Sequence, residues 1–188
     1  MLGSNLAYRK YMFVVEQNVR VGIFGRTQYE LETAYIPSSV PYPLLENHLG
    51  NITPFYNSKS FNLMDISEFV SDKYISLRLT HKFEGLISNR IPLIKKLDWR
   101  FFATSNVLYG SVGQNNLALV PLYDSNGFPF KLNSEGLPAP IFKSLRDLPY
   151  IEVGYGVSNI LRFVRIDFVH RVTHLGNGAR PFGVKIST

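Results

Sequence analysis

The sequence predicts an all-β protein of about seven antiparallel strands in up-and-down order, an arrangement that suits a transmembrane β-barrel and also a soluble sandwich. Three observations predict it. Apolar and polar residues alternate with period two in seven segments, the connections between them are short or long in turn, and the polar sides carry whole charges at mid-strand.

Successive side chains of a strand point to opposite faces, so each segment divides by parity. The first sets Tyr11, Phe13, Val15, Val19 and Val21 against Lys10, Glu16, Asn18 and Arg20. Thr27 to Ile36 sets Tyr29, Leu31 and Tyr35 against Gln28, Glu30 and Glu32. Lys73 to Phe83 is the clearest, with Ile75, Leu77, Leu79, His81 and Phe83 facing away from Tyr74, Ser76, Arg78, Thr80 and Lys82. In Leu97 to Tyr109, Trp99, Phe101, Ala103, Val107 and Tyr109 oppose Asp98, Arg100, Thr104 and Asn106, while Phe102 and Leu108 break the rule on the polar side. Tyr150 to Val157 opposes Ile151, Val153 and Tyr155 to Glu152, Gly154 and Gly156. The sixth segment opposes Val164, Ile166, Phe168 and Val172 to Arg165, Asp167 and Arg171, and the seventh opposes Phe182, Val184 and Ile186 to Gly183, Lys185 and Ser187. Helical signal is confined to Leu63–Val70, where Asp65 and Glu68 have the spacing of a capping box.

Short links are expected near Gly22–Arg26, Glu84–Lys96 and Ser158–Leu161, and long ones at Pro37–Asp72 and Ser111–Pro149. Barrels of the outer-membrane type have short turns on one rim and long loops on the other. An 11-residue segment such as Lys73–Phe83 spans about 36 Å, or about 27 Å of height at a tilt near 40°, which suits a bilayer's apolar band. The polar sides then become a lumen, with Arg78, Arg100, Glu152, Arg165, Asp167 and Arg171 as candidate lumen charges. Ile75, Leu77, Leu79, Trp99, Phe101, Val164, Ile166 and Phe168 become the candidate lipid face. Tyr11, Tyr35, Trp99, Tyr109 and Tyr150 are placed for aromatic girdles. A soluble β-sandwich with one wet face fits the same alternation.

Composition narrows the classes. Of 188 residues, 45% are hydrophobic and 18% charged, which excludes disorder driven by charge. No cysteine is present, so disulfides, thiolate metal sites and a thiol nucleophile are excluded. Charges interrupt every apolar run, which excludes a spanning helix. The net charge of +6 is spread singly along the chain, without the cluster that would indicate nucleic acid. His170 and His174 share a parity but lie about 13 Å apart along a strand, too far to share a metal. The acid pairs Asp65 with Glu68 and Glu152 with Asp167 read as a cap and as lumen partners of Arg165 or Arg171. No nucleophile elbow, phosphate loop, dinucleotide fingerprint or HExxH occurs, so neither an enzyme nor a cofactor is expected. The apolar content of Leu44–Asp72, including Phe55, Tyr56, Phe61 and Phe69, suggests a lid folded over the barrel mouth.

Ordered tracts carry a resemblance. Pro41-Tyr42-Pro43-Leu44-Leu45, Gly50-Asn51, Phe61-Asn62-Leu63-Met64, Glu68-Phe69-Val70-Ser71-Asp72 and His81-Lys82-Phe83-Glu84-Gly85 form the first half. Asn89-Arg90-Ile91-Pro92-Leu93, Pro149 to Gly156, Asn159-Ile160 and Arg165-Ile166-Asp167 continue it. Together they resemble the C-terminal barrel of a Bacteroidota outer-membrane family of unknown function, whose N-terminal part is a carboxypeptidase-regulatory-like domain. That barrel is similar to the surface-antigen barrels of the BamA and TamA type. The resemblance implies the outer membrane of a Gram-negative bacterium, lipid as the immediate partner, and a role in transport or in assembly of envelope proteins. It implies further that the chain is a C-terminal fragment whose remaining strands lie upstream, with Tyr8–Val21 as an open edge. By the same likeness Pro37–Asp72, Ser111–Pro149 and Gly176–Ala179 lie outside the cell, and the turns near Phe24, Asn89 and Asn159 face the periplasm. The alternative is a soluble extracytoplasmic β-sandwich that binds carbohydrate or protein.

Overall fold

The computed structural model describes residues 8–188 except Ser134, Ser144, Arg146 and Asn177, together with the side chain of Leu93. Asn177 of the expected Gly176–Ala179 loop therefore lies outside the described residues. One antiparallel sheet contains all seven expected strands: β1 (Tyr11–Arg20), β2 (Arg26–Tyr35), β5 (Lys73–Lys82), β6 (Arg100–Ser111), β7 (Tyr150–Ile160), β8 (Val164–Arg171) and β9 (Phe182–Ser187). They stand side by side in chain order, and the sheet is open, with β1 and β9 at its two ends. A second sheet pairs only β3 (Glu46–Asn47) with β4 (Val70–Ser71).

Register aligns the parity faces from strand to strand. Leu31 lies opposite Leu77, which lies opposite Val107, which lies opposite Ile151. On the other face Glu30 meets Arg78, Arg78 meets Asn106, and Asn106 meets Glu152. A slip of one residue would exchange the two sets, so pairings this consistent fix which side is apolar.

The polar side of the sheet is covered and its apolar side is open. On the polar side Ser76, Thr104, Asn106, Glu152, Asp167, Arg171 and Lys185 are buried. On the apolar side Phe13, Tyr35, Ile75, Tyr109, Tyr155 and Val184 are exposed, at 45% or more in every case, with Phe13 at 60%. Tyr11, Tyr35 and Tyr109 form an exposed aromatic row at the long-loop end. Tyr150 is a correction to the girdle: it sits opposite Leu108 on the polar face and is fully buried.

The links differ from expectation in three places. Leu63–Val70 forms turns instead of a helix, because Ser67 takes a left-handed φ of 57° and Glu68 is drawn to cations beyond its own segment. The Glu84–Lys96 link holds two short helices, α1 (Gly85–Ser88) and α2 (Pro92–Leu97). Leu97 thus belongs to a helix, and Trp99 stands half-buried just ahead of β6. Pro92 opens α2, Lys95 and Lys96 occupy its last turn, and left-handed Asp98 ends it. Third, β7 continues to Ile160 through an irregularity between Val157 and Ile160. Among the described residues no helix is long and apolar enough to cross a membrane, a statement that does not bear on strands.

Candidate functional site: a charged inner face filled by the chain's own loop

The long β2–β5 connection folds back over the polar face of the sheet. Phe61, Met64 and Phe69 from this loop pack with Ala34, Tyr74, Leu108 and Tyr150 from the strands and with Leu145 from the second long loop. Phe61 meets the Tyr150 ring edge-on at 5.4 Å, and Phe69 lies 5.6 Å from the same ring. The apolar intruders Leu108 and Phe102 thereby acquire partners, Leu108 in this cluster and Phe102 under Arg165. The segment expected as a lid is seated like a plug against the polar face of the sheet.

Charged groups of β7, β8 and β9 hold the plug by its backbone as well as by its side chains. Glu152 accepts the Asn62 N–H at 2.9 Å, the Leu63 N–H at 3.1 Å, the Asn106 side-chain amide at 2.8 Å and the Tyr150 hydroxyl at 3.0 Å. Its expected pairing with Arg165 or Arg171 does not occur, because two loop amides occupy the carboxylate. Arg171 instead donates to both carboxylate oxygens of Glu68, at 2.7 and 2.9 Å, and to Leu63 O at 3.3 Å. Lys143 from the second loop reaches Glu68 at 2.7 Å, and Glu68 in turn accepts the Asp65 amide. The reciprocal half of a capping box is therefore present without a helix. Burial pushes the Glu68 carboxyl up, but hydrogen bonds from Arg171, Lys143 and Asp65 more than reverse this and hold it at about 2.

Lys185 donates to the carbonyls of Asn51, at 3.1 Å, and of Thr53. Arg180 reaches Asp65 at 3.1 Å. Arg165 forks onto Asp167 at 2.6 and 2.8 Å, with its guanidinium between two rings, Phe102 at 3.9 Å and Tyr56 at 4.4 Å. Arg78 bridges Glu30 and Glu32 of the neighbouring strand, each at 2.8 Å. Five of the six candidate lumen charges thus meet on the inner face. Arg100 does not: it lies exposed at the short-link rim, 3.2 Å from Asp98.

His48 is buried in the plug, edge-on to Tyr74 at 4.7 Å and 3.0 Å from the Ser71 hydroxyl. Burial, reinforced by the positive charges of Arg78 and Lys10, drives its imidazole down to about 3, so it is neutral at ordinary pH. His170 stacks on Tyr155 on the outer face, whereas His174 lies beyond β8 and packs on Phe69. Among the described residues no three His, Asp or Glu converge as a metal-holding group.

The plug also touches the edge of the sheet. Ile186 N–H donates to Pro54 O and Ile186 O accepts the Tyr56 N–H, both at 2.9 Å, so Pro54–Tyr56 lies along β9 as a one-rung strap. Below the plug, towards the short links, a cavity of about 550 Å³ opens between Lys82, Arg100, Phe102, Arg162 and Arg165.

Of the candidate lipid-face residues, Ile75, Leu77, Leu79, Phe101, Ile166 and Phe168 lie on the outer rows. Val164 opens β8 at the rim opposite Ile160. The anchors missed by sequence reasoning are Asn62, Glu68, Lys143 and Lys185, whose partners lie many tens of residues away and leave no local pattern.

Residues 1–116, which cover the plug and the first four strands of the sheet, match the C-terminal domain of the family of unknown function DUF5686. The chain belongs to this family. No curated protein and no solved structure matches it.

Proposed function

We propose that the chain forms wall and stopper of a β-barrel in the outer membrane of a Gram-negative bacterium, with hydrocarbon against its apolar rows and a plugged, charged lumen on the other side. One observation carries the reading: β7, β8 and β9 bury Glu152, Asp167, Arg171 and Lys185 on the polar face, while Ile75, Tyr109, Tyr155 and Val184 stay exposed on the apolar one. In water this costs about 25 cal/mol for each Å² of apolar surface left exposed, whereas in a bilayer the same rows are solvated. A soluble sandwich would lay a second sheet over them. Among the described residues the other sheet is β3–β4, which lies on the polar side, where His48 meets Tyr74.

In this reading the open sheet is completed by further strands between β1 and β9, because lipid tolerates no unpaired edge. The tracts resembling Bacteroidota outer-membrane proteins with a regulatory-like N-terminal domain support the same placement. The role belongs with transport or envelope protein assembly, and the charged polar face supports it by anchoring a stopper.

The test is fractionation and gel mobility of the intact protein from its native membrane. Recovery with outer membranes, dependence on detergent and a shift in migration on boiling are expected. A monodisperse monomer soluble without detergent would overturn the proposal and favour the sandwich.

A further inference from the structure

The short-link rim gathers a charge surplus as large as that of the whole chain. Counting the three short links and the strand-terminal residues that flank them, this rim holds eight of the 20 Lys and Arg and two of the 14 Asp and Glu, a surplus of six that equals the net charge of the whole chain. All eight cations are exposed. Arg26 pairs with Glu84 and Arg100 with Asp98. Among the described residues Arg20, Lys82, Arg90, Lys95, Lys96 and Arg162 have no carboxylate partner.

Large apolar side chains project between them. Ile23 is 79% exposed, Leu161 75% and Phe163 62%, and Phe24, Ile91 and Leu97 are exposed as well. Leu161 is held at a left-handed φ of 51° while projecting outward, a conformation that costs a non-glycine residue about 1–2 kcal/mol. Apolar tips among free cations do not suit a rim in water. They continue the outer row of Phe101, Val157, Ile166 and Ile186 beyond the strand ends.

We infer that this rim is a binding surface for anionic phospholipid headgroups: its apolar tips enter the edge of the hydrocarbon layer while Arg20, Arg90, Lys95, Lys96 and Arg162 meet the phosphates. The inference rests on the proposed barrel. In that orientation the lipids belong to the periplasmic leaflet. Charge complementarity decides the occupant, because one Lys or Arg near an anionic surface contributes about a fivefold gain in affinity. An acidic protein would satisfy the cations but would leave Ile23, Leu161 and Phe163 without an apolar counterpart.

The chain's single tryptophan, Trp99, stands at this rim and reports on it. The purified intact protein, with any tryptophan outside this chain replaced by phenylalanine, is reconstituted into bilayers containing phosphatidylcholine and phosphatidylglycerol, with one or the other lipid brominated near the headgroup. Brominated phosphatidylglycerol is expected to quench Trp99 with at least about a fivefold higher effective affinity than brominated phosphatidylcholine. The preference should collapse towards unity in the triple variant Arg90→Gln, Lys95→Gln, Lys96→Gln and in molar salt. Equal quenching by both lipids would overturn the inference, leave the barrel standing and return the rim to a protein partner. A Trp99 quenched by neither lipid would defeat the barrel reading itself.

Discussion

Replacing Glu152 by alanine removes the acceptor of two plug amides at once. The carboxylate is 1% exposed and bonds the Asn62 and Leu63 N–H groups while remaining tied to Asn106 and Tyr150 of the wall. Hydrogen bonds to a charged group contribute about 1.5–3 kcal/mol each, so the two plug bonds together are worth about 3–6 kcal/mol. Part of this is returned when the wall partners rearrange, which leaves about 3 kcal/mol against the seated loop. An opening equilibrium shifts by about 150-fold for that energy. Hydrogen exchange on peptides covering residues 57–68, measured on folded protein in detergent, reads this opening directly. Glu152→Ala should speed exchange there by about two orders of magnitude and leave β5 and β6 protected. Glu152→Gln, which keeps one acceptor oxygen, should fall between. Exchange in this segment unchanged within about threefold of the parent protein would refute the assignment of Glu152 as the plug's anchor.

Acid should unseat the same loop. In the unfolded chain His48 titrates near 6.5 and Glu68 near 4.5, and in the folded protein they are held at about 3 and about 2. Both groups therefore stabilise the seated plug above their unfolded values and lose that contribution as pH falls, His48 from 6.5 downwards and Glu68 from 4.5. At pH 4 the His48 share is about 3 kcal/mol, and His48→Gln should flatten the pH dependence of exchange over residues 45–72. Leu77, the fifth of ten residues in β5, lies at mid-strand on the apolar face, and in the proposed barrel Leu77→Arg should cost about 2–4 kcal/mol in a bilayer. Ile166→Arg, nearer the rim, should cost less, and equal losses in denaturation from lipid would contradict the assigned depth. Gly156→Ala would bring a methyl group to 2.1 Å from Ile166 O and 2.5 Å from the Phe102 ring. It should lower the heat-modification temperature, whereas Gly176→Ala, which meets nothing within 4 Å, should not.

The strands were legible because a two-sided environment writes a period of two, and β5 reads the same in sequence as in space. What occupies the polar side was only half legible. Phe102 and Leu108 broke the alternation because the plug and Arg165 cover them, and Tyr150 passed for an interface residue because its parity was not weighed against its position at a strand end. Glu152 and Asn62 are 90 residues apart, so no window of sequence could join them. The basic rim was hidden for a related reason. A zigzag chain returns to the same end at every second turn, so Arg20, Lys95 and Arg162 look scattered along the sequence yet share one edge of the sheet. The helix at Pro92–Leu97 did have signals, a leading proline and trailing lysines, but one of six residues is too short to show a period.

The strap along β9 occupies the edge that the proposed barrel would have to close. Pro54–Tyr56 holds Ile186 through two hydrogen bonds, together worth about 1–3 kcal/mol, and a neighbour zippering along all of β9 would form a longer ladder and evict it. Tyr56 would then withdraw from Arg165. In the proposed barrel, completing the circumference and loosening the cork would thus be mechanically one movement, and whatever docks at that border would also adjust how firmly the throat is shut.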